Sequence, residues 1–143
     1  MTFEVPPARV AIDFRFPSDV RYIERVVEAV RQQCEQCEFP RRKCALNVPV
    51  ALTEALANAI LRGNGENTQK SVRLHVEVDH DALVMEVVDE GAGFDLDACT
   101  RDPADPANLT DENGRGLYLM RRLMDSVERY FDGGNVVRLT LRR

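Results

Sequence analysis

Glu54 and Asn58 lie four residues apart in a stretch of helical periodicity, so their side chains share one helix face, and Arg62 extends that row by a further turn. The row sets a carboxylate, an amide oxygen and a cation beside apolar neighbours. A magnesium ion with a phosphate chain needs these groups, because Mg2+ takes hard oxygen ligands and keeps several waters. The same spacing is common on solvated helix faces, so these residues alone leave both readings open. Asp89 ends a nearly continuous apolar run and is followed by Glu90-Gly91-Ala92-Gly93-Phe94. A carboxylate at a strand end can accept from an exocyclic amine, and Gly91 and Gly93 would let a flat ring approach the backbone. A plain strand-to-turn junction uses the same residue types. Gly114-Arg115-Gly116 precedes a third helical pattern, where free backbone N–H groups and the Arg115 guanidinium suit an anion. A flexible approach to a helix reads the same way.

These segments need a scaffold, and the hydropathy pattern supplies its parts. Val10, Ile12, Phe14 and Phe16 alternate with polar or small residues, which predicts a half-buried strand ending at Pro17. Ser18 is the expected N-cap of a helix whose apolar stripe is Val20, Ile23, Val26, Val27, Val30 and Cys34. After a connection containing Arg41-Arg42-Lys43, a second helix is expected from near Asn47, with Pro49 in its first turn, to Gly63-Asn64-Gly65. Val72 to Val78 and Leu83 to Val88 read as an antiparallel hairpin. Residues 96–113 lack periodicity and read as a long loop of the kind that forms lids. Leu117, Met120, Leu123, Met124 and Val127 predict a third helix, Gly133-Gly134 a turn, and Val137, Leu139 and Leu141 a last strand. The expected fold is α+β, a two-layer sandwich with a mixed, mostly antiparallel sheet and its helices on one face.

At 143 residues the chain fits one domain over 1–143, and a formal charge of -5 argues against a broad nucleic-acid-binding face. No run approaches the roughly 20 apolar residues of a membrane span, and the first residues carry no signal-peptide pattern, so a cytoplasmic location is expected. Cys34-Glu-Gln-Cys37 with Cys44 offers half of a zinc pattern. Without a second such pair, free thiols are the favoured reading, and Cys99 stands apart. Neither G-x-G-x-x-G after a strand nor a P-loop is present.

In order, EALANAILRGN, DEGAGFD and NGRGLYLMRRLMD resemble the N, G1 and G2 boxes of the GHKL ATPase superfamily of gyrase, MutL repair proteins and sensor histidine kinases. The EALANA and GRGLYLMRRLMD forms most resemble the anti-sigma factor serine/threonine-protein kinases of bacterial partner switching, over nearly the whole chain. The resemblance implies a histidine-kinase-like ATPase fold, with ATP held between the helices and a lid over about residues 96–113. It implies that Asn58 ligates Mg2+, that Asp89 accepts from the adenine amino group and that Gly91 and Gly93 admit the ring. It further implies that Gly114, Arg115 and Gly116 hold the phosphates, and that Glu54 is the general base for a serine or threonine hydroxyl. The implied partners are an anti-sigma factor antagonist as phosphoacceptor and a sigma factor held inactive, and a homodimer is compatible.

The chain departs from the family pattern N-A-x-x-H-G by carrying Arg62 where histidine is usual. Arginine can pair with phosphate and cannot exchange a proton near neutral pH. The alternative function is therefore a non-catalytic ATP- or ADP-dependent binding module, against which Glu54 argues. The ATP-binding half of a histidine kinase ranks third, because His75 and His80 fall in or beside the hairpin and not on an upstream phosphoacceptor helix.

Overall fold

The computed structural model describes residues 9–91 and 112–143, the backbone alone for 112–114. β1 spans Arg9–Pro17, and a 3-10 turn over Val20–Tyr22 leads into α1 at Ile23–Gln36. α2 is one continuous helix over Lys43–Gly63. Its middle, Val48–Asn58, is α-helical, and both ends, Lys43–Asn47 and Ala59–Gly63, are π-helical. β2 (Ser71–Asp79) and β3 (Ala82–Asp89) form the hairpin, α3 covers Glu112–Leu123, and β4 (Ser126–Phe131) with β5 (Asn135–Arg142) completes the sheet.

The sheet order is β1-β2-β3-β5-β4 and every neighbouring pair is antiparallel. The sandwich agrees with expectation, whereas the expected mixture of strand directions is corrected among the described strands. Two helices between β1 and β2 bring the chain back antiparallel. Among the described residues α3 lies on the connection from β3 to β4, and those two strands run alike, as a crossover demands, but β5 lies between them. The third helix is expected to run on to Val127, which is the second residue of β4. That helix stops at Leu123, and Val127 instead pairs with Leu139 at the sheet edge. Glu128 to Phe131 are exposed, so β4 lacks the alternation that reveals a strand.

Register puts Phe16, Val72, Leu74, Val76, Val78, Leu83, Met85, Val87, Leu139 and Leu141 on one sheet face, all buried. They pack with Val48, Leu52, Ala55, Leu56 and Ile60 of α2, Val30 and Cys34 of α1, and Leu117 and Met120 of α3. α2 is also long and apolar enough to cross a membrane by length and composition, which the sequence reading had denied to every stretch. Half of it is buried inside the domain, as befits a core helix. The polar row Glu54, Asn58 and Arg62 interrupts it in sequence, and helix starting near Lys43, ahead of Pro49, lengthens it. Cys34 and Cys44 lie in the core, where burial pushes the Cys34 thiol up to about 12. Cys99 lies outside the described residues.

Three polar devices tie these layers together. Ser18 is not the N-cap of the first helical turn; Asp19 is, accepting from Arg21 N–H at 2.9 Å. Ser18 is buried and accepts from Asn64 Nδ2 at 2.5 Å. Asn64 Nδ2 also donates to the Ser71 carbonyl at 3.0 Å, and Asn64 Oδ1 accepts from Glu90 N–H at 2.7 Å. One buried amide thus joins the ends of β1, α2 and β3 to the start of β2. At the opposite end Arg143 donates to the carbonyls of Glu38 (2.6 Å), His80 (2.8 Å) and Cys37 (3.1 Å) and lies over the Phe39 ring. It completes the C-terminus of α1 and clasps it to the β2–β3 turn. On the open sheet face His75 sits between Glu77 (Nε2 to Oε1, 2.9 Å) and Asp13 (Nδ1 to Oδ1, 2.6 Å).

Asn64→Ala would strand the buried Ser18 hydroxyl and the part-buried Glu90 N–H, and is expected to lower stability by about 1–3 kcal/mol in urea titration. The Glu77 and Asp13 carboxylates raise the His75 pKa above its usual 6.5, and His75 in turn lowers that of Glu77 below its usual 4.5. The histidine's contribution is complete below pH 6.5 and fades as pH rises through its folded value. The Glu77 contribution is present above pH 4.5 and is lost as pH falls through its own folded value. The difference in melting temperature between wild type and His75→Gln should therefore be larger near pH 5.5 than at pH 9; equal differences would show that the cluster carries no pH-linked stability.

Candidate functional site

The site is built at one end of the sandwich, where α2, the end of β3, the start of β5 and the start of α3 meet. The Ala59–Gly63 π-turn is the local cause. Its wider turn is closed by Asn64 N–H to Ala59 O at 2.8 Å, and such turns recur at functional positions because they shift the phase of a helix. Here the shift sets Gly63 directly against the Asp89 carboxylate. A Cβ on Gly63 would overlap Asp89 Oδ2, and a Cβ on Gly91 would overlap the Gly63 carbonyl oxygen. Both glycines are required by close approach.

Asp89 is only 4% exposed, and its Oδ1 is saturated. It accepts from Gly91 N–H and from Asn135 Nδ2, each at 2.9 Å, and Asn135 Nδ2 also donates to the Gly91 carbonyl at 2.7 Å. The carboxylate is thus fixed in rotation, with Oδ2 turned toward Gly63. Across α2, Glu54 and Asn58 are half-buried and converge on Gly116 of α3. A Cβ there would lie 2.7 Å from Glu54 Oε2 and 3.9 Å from Asn58 Nδ2. The missing side chain therefore lets the Glu54 carboxylate and the Asn58 amide approach α3 closely. Both side chains carry oxygen, the donor type that Mg2+ takes.

Gly114, Arg115 and Gly116 fall within the opening turns of α3, whereas the sequence placed them ahead of it. In a helix that starts at Glu112 the Gly114 N–H falls in the first turn, where N–H partners are lacking and anions are favoured, whereas the Gly116 N–H lies four residues past Glu112, in reach of its carbonyl. Arg115 is exposed, as is Arg62 on the π-turn beyond Asn58. Of the residues singled out in sequence, the fold brings Glu54, Asn58 and Gly116 together and seats Asp89 and Gly91 on the end of α2. Gly93 and all but the last two residues of the expected 96–113 lid lie outside the described residues. The sequence reading missed Gly63 as a close-approach position, and it missed Asn64 and Asn135. Asn135 gave no local signal; only the register Asp89↔Asn135 brings its amide to the carboxylate.

Gly63→Ala should cost about 1–3 kcal/mol, read by chemical denaturation, because the buried carboxylate must be displaced. Gly65→Asn serves as its control. Gly65 has φ +59 and open space around it, and asparagine tolerates that backbone, so little change is expected.

Residues 16–141 match the family described as the histidine kinase-like ATPase domain. Among curated proteins the chain is similar to the serine-protein kinase RsbW of Bacillus subtilis, 35% identical over 99 residues, and to that of Bacillus velezensis, 33% identical over 99 residues. Each alignment covers 66% of this chain and 62% of the relative, so the chain matches about three fifths of those kinases' length. The anti-sigma F factor of Clostridium beijerinckii is 24% identical over 98 residues, 68% of each chain. With the family match spanning nearly all of both layers and every described residue of the site, the chain belongs to the histidine kinase-like ATPase domain family.

Proposed function

We propose that this chain is a single-domain, cytoplasmic ATP-dependent serine/threonine protein kinase that phosphorylates an anti-sigma factor antagonist and sequesters a sigma factor. The observation that carries the kinase reading is the convergence of Glu54 and Asn58 on Gly116, at the start of α3, while Asp89 stands fixed on Gly63 at the other end of the same site. The names of the similar proteins, serine-protein kinase and anti-sigma F factor, support the regulatory role.

In this reading Asp89 Oδ2 accepts from the adenine amino group, since Oδ1 is already occupied by Gly91 and Asn135. Gly91 and Gly93 admit the ring. Gly114, Arg115 and Gly116 hold the phosphates, Gly114 through its backbone N–H, Arg115 through its guanidinium and Gly116 by admitting them close to the helix, and Arg62 adds a second cation at the mouth of the site. Asn58 would hold Mg2+, which when bound neutralises phosphate charge. Glu54 takes the proton from the acceptor's hydroxyl as that oxygen bonds to the γ-phosphorus; the bond to the β–γ bridging oxygen breaks and ADP leaves. A pure binding module would have no use for a half-buried carboxylate facing the phosphate end.

The test is ATP binding by calorimetry with and without Mg2+, then γ-phosphate transfer to a candidate antagonist. Glu54→Gln should keep ATP binding and lose transfer by about 10²–10⁴-fold. Binding with no transfer by wild type would favour the nucleotide-dependent module, and absence of binding would overturn both. Asn58→Ala should abolish the Mg2+-dependent part of the affinity at little cost to stability, as monitored by calorimetry and thermal melting; an unchanged Mg2+ dependence would remove Asn58 as the ligand.

A further inference from the structure

The turn between β4 and β5 delivers one more side chain to the site. Asp132 N–H donates to the Gly134 carbonyl at 2.9 Å and Gly133 takes φ +67, so the chain reverses tightly between Phe131 and Asn135. Gly134 passes over the end of β3: a Cβ there would lie 2.6 Å from the Asp89 carbonyl oxygen and 2.9 Å from Val88 Cγ1. A side chain at that position would hold the turn away from β3. The close approach sets Asn135, the first residue of β5, in register with Asp89.

The Asn135 amide nitrogen faces two oxygens at that corner, Asp89 Oδ1 at 2.9 Å and the Gly91 carbonyl at 2.7 Å, and gives one N–H to each. Only the nitrogen of an amide can face two acceptors, so its orientation is fixed by its neighbours. With Gly91 N–H donating to the same Oδ1 at 2.9 Å, Asp89, Gly91 and Asn135 close a ring of three hydrogen bonds. The Gly91 bond is local and tolerates a range of carboxylate angles, as turns of this kind do. The Asn135 bond comes from a separate strand, and it is the one that stops the carboxylate from rotating.

We propose that Asn135 is the positioning residue that gives the site its preference for a 6-aminopurine over a 6-oxopurine, by holding the Asp89 carboxylate at one angle. The proposal rests on the ATP reading above and deepens it. A carboxylate can only accept. Fixed in place, Asp89 accepts from an exocyclic amino group and opposes the oxygen that a 6-oxopurine carries at the same position. Freed, it swings away, which weakens the first contact and relieves the second. Affinity for the amino base then falls while that for the oxo base rises, so the ratio of the two reports the carboxylate's angle. A side chain needed only for folding would lower both affinities together.

The experiment measures ATP and ITP binding by calorimetry on the intact chain, for wild type, Asn135→Leu and Asn135→Asp, with thermal melts to establish that each variant is folded. ITP carries an oxygen where ATP carries the amino group and is otherwise close to it in shape. Wild type should prefer ATP by about 10²-fold or more. Leucine has nearly the shape of asparagine but no donor, and should cut that preference about tenfold; aspartate sets a second carboxylate against the first and should cut it further. If the leucine variant melts below the assay temperature, Asn135→Ala repeats the comparison without added apolar bulk. An unchanged ratio in the folded variant, equal loss of both affinities included, would overturn the proposal and leave the ATP reading standing, as would a wild type that binds ITP as tightly as ATP. Wild type that binds neither nucleotide would overturn both.

Discussion

A buried carboxylate pressed against the backbone of a glycine is the contact on which this site depends. Asp89 is removed from water, and burying a charge is costly unless donors meet it. Gly91 N–H and the Asn135 amide meet Oδ1, and the missing side chain of Gly63 leaves room for Oδ2. Three separate elements are thereby held in one geometry, because the carboxylate ends β3, its amide donor opens β5, and the glycine closes α2. A shift in any of them would expose an unpaired charge or force atoms together. A carboxylate held this rigidly presents its remaining lone pairs in a constant direction, which is what discrimination of a flat, amine-bearing ligand requires.

α2 answers to two demands at once. Its inner side supplies much of the core through Val48, Leu52, Ala55, Leu56 and Ile60, and the next face carries Glu54 and Asn58 toward α3. Polar groups needed for chemistry therefore ride on a helix anchored along its length by apolar burial, at about 25 cal/mol per Å² of apolar surface removed from water. This gives a rigid platform for the site. The π-turn at Ala59–Gly63 ends the helix without breaking it, and Asn64 then fastens that end to three strands. The fastening lies one residue from Gly63, so the stability of the fold and the position of Asp89 are parts of one network.

The two sides of the sheet are used differently. One is filled by apolar residues under the helices, while the other carries Asp13, His75, Glu77 and Glu86 among smaller apolar residues. His75 between Asp13 and Glu77 spans the β1–β2 pair, the outermost pairing at that edge. Cross-strand pairs of opposite charge add a modest, pH-dependent increment where apolar burial is lacking.

Much was legible in the residue order. The alternation of Val72 to Val78 and of Leu83 to Val88 marked a hairpin because a half-buried strand must alternate. The stripe from Ile23 to Cys34 marked a helix for the matching reason, and the spacing of Glu54 and Asn58 placed both on one face. Three ordered motifs marked the family. What local pattern could not carry was everything decided by contact between distant segments. β4 is an edge strand with a solvated outer half, so its residues never had to alternate. The insertion of β5 between β3 and β4 made the sheet wholly antiparallel among the described strands, and strand order leaves no trace in periodicity. Ser18 looked like a cap until Asn64 claimed its hydroxyl. Asn135 and Gly63 acquired their roles only when register and a π-turn brought them to Asp89. The sequence by itself determined the helical and strand character of every described element long enough to show its period, β4 excepted, and which residue types could bind nucleotide, because those follow from local periodicity and chemistry. The tertiary structure alone decided which oxygen of Asp89 is occupied and which glycines must stay glycine, because these are properties of atoms brought together from far apart in the chain.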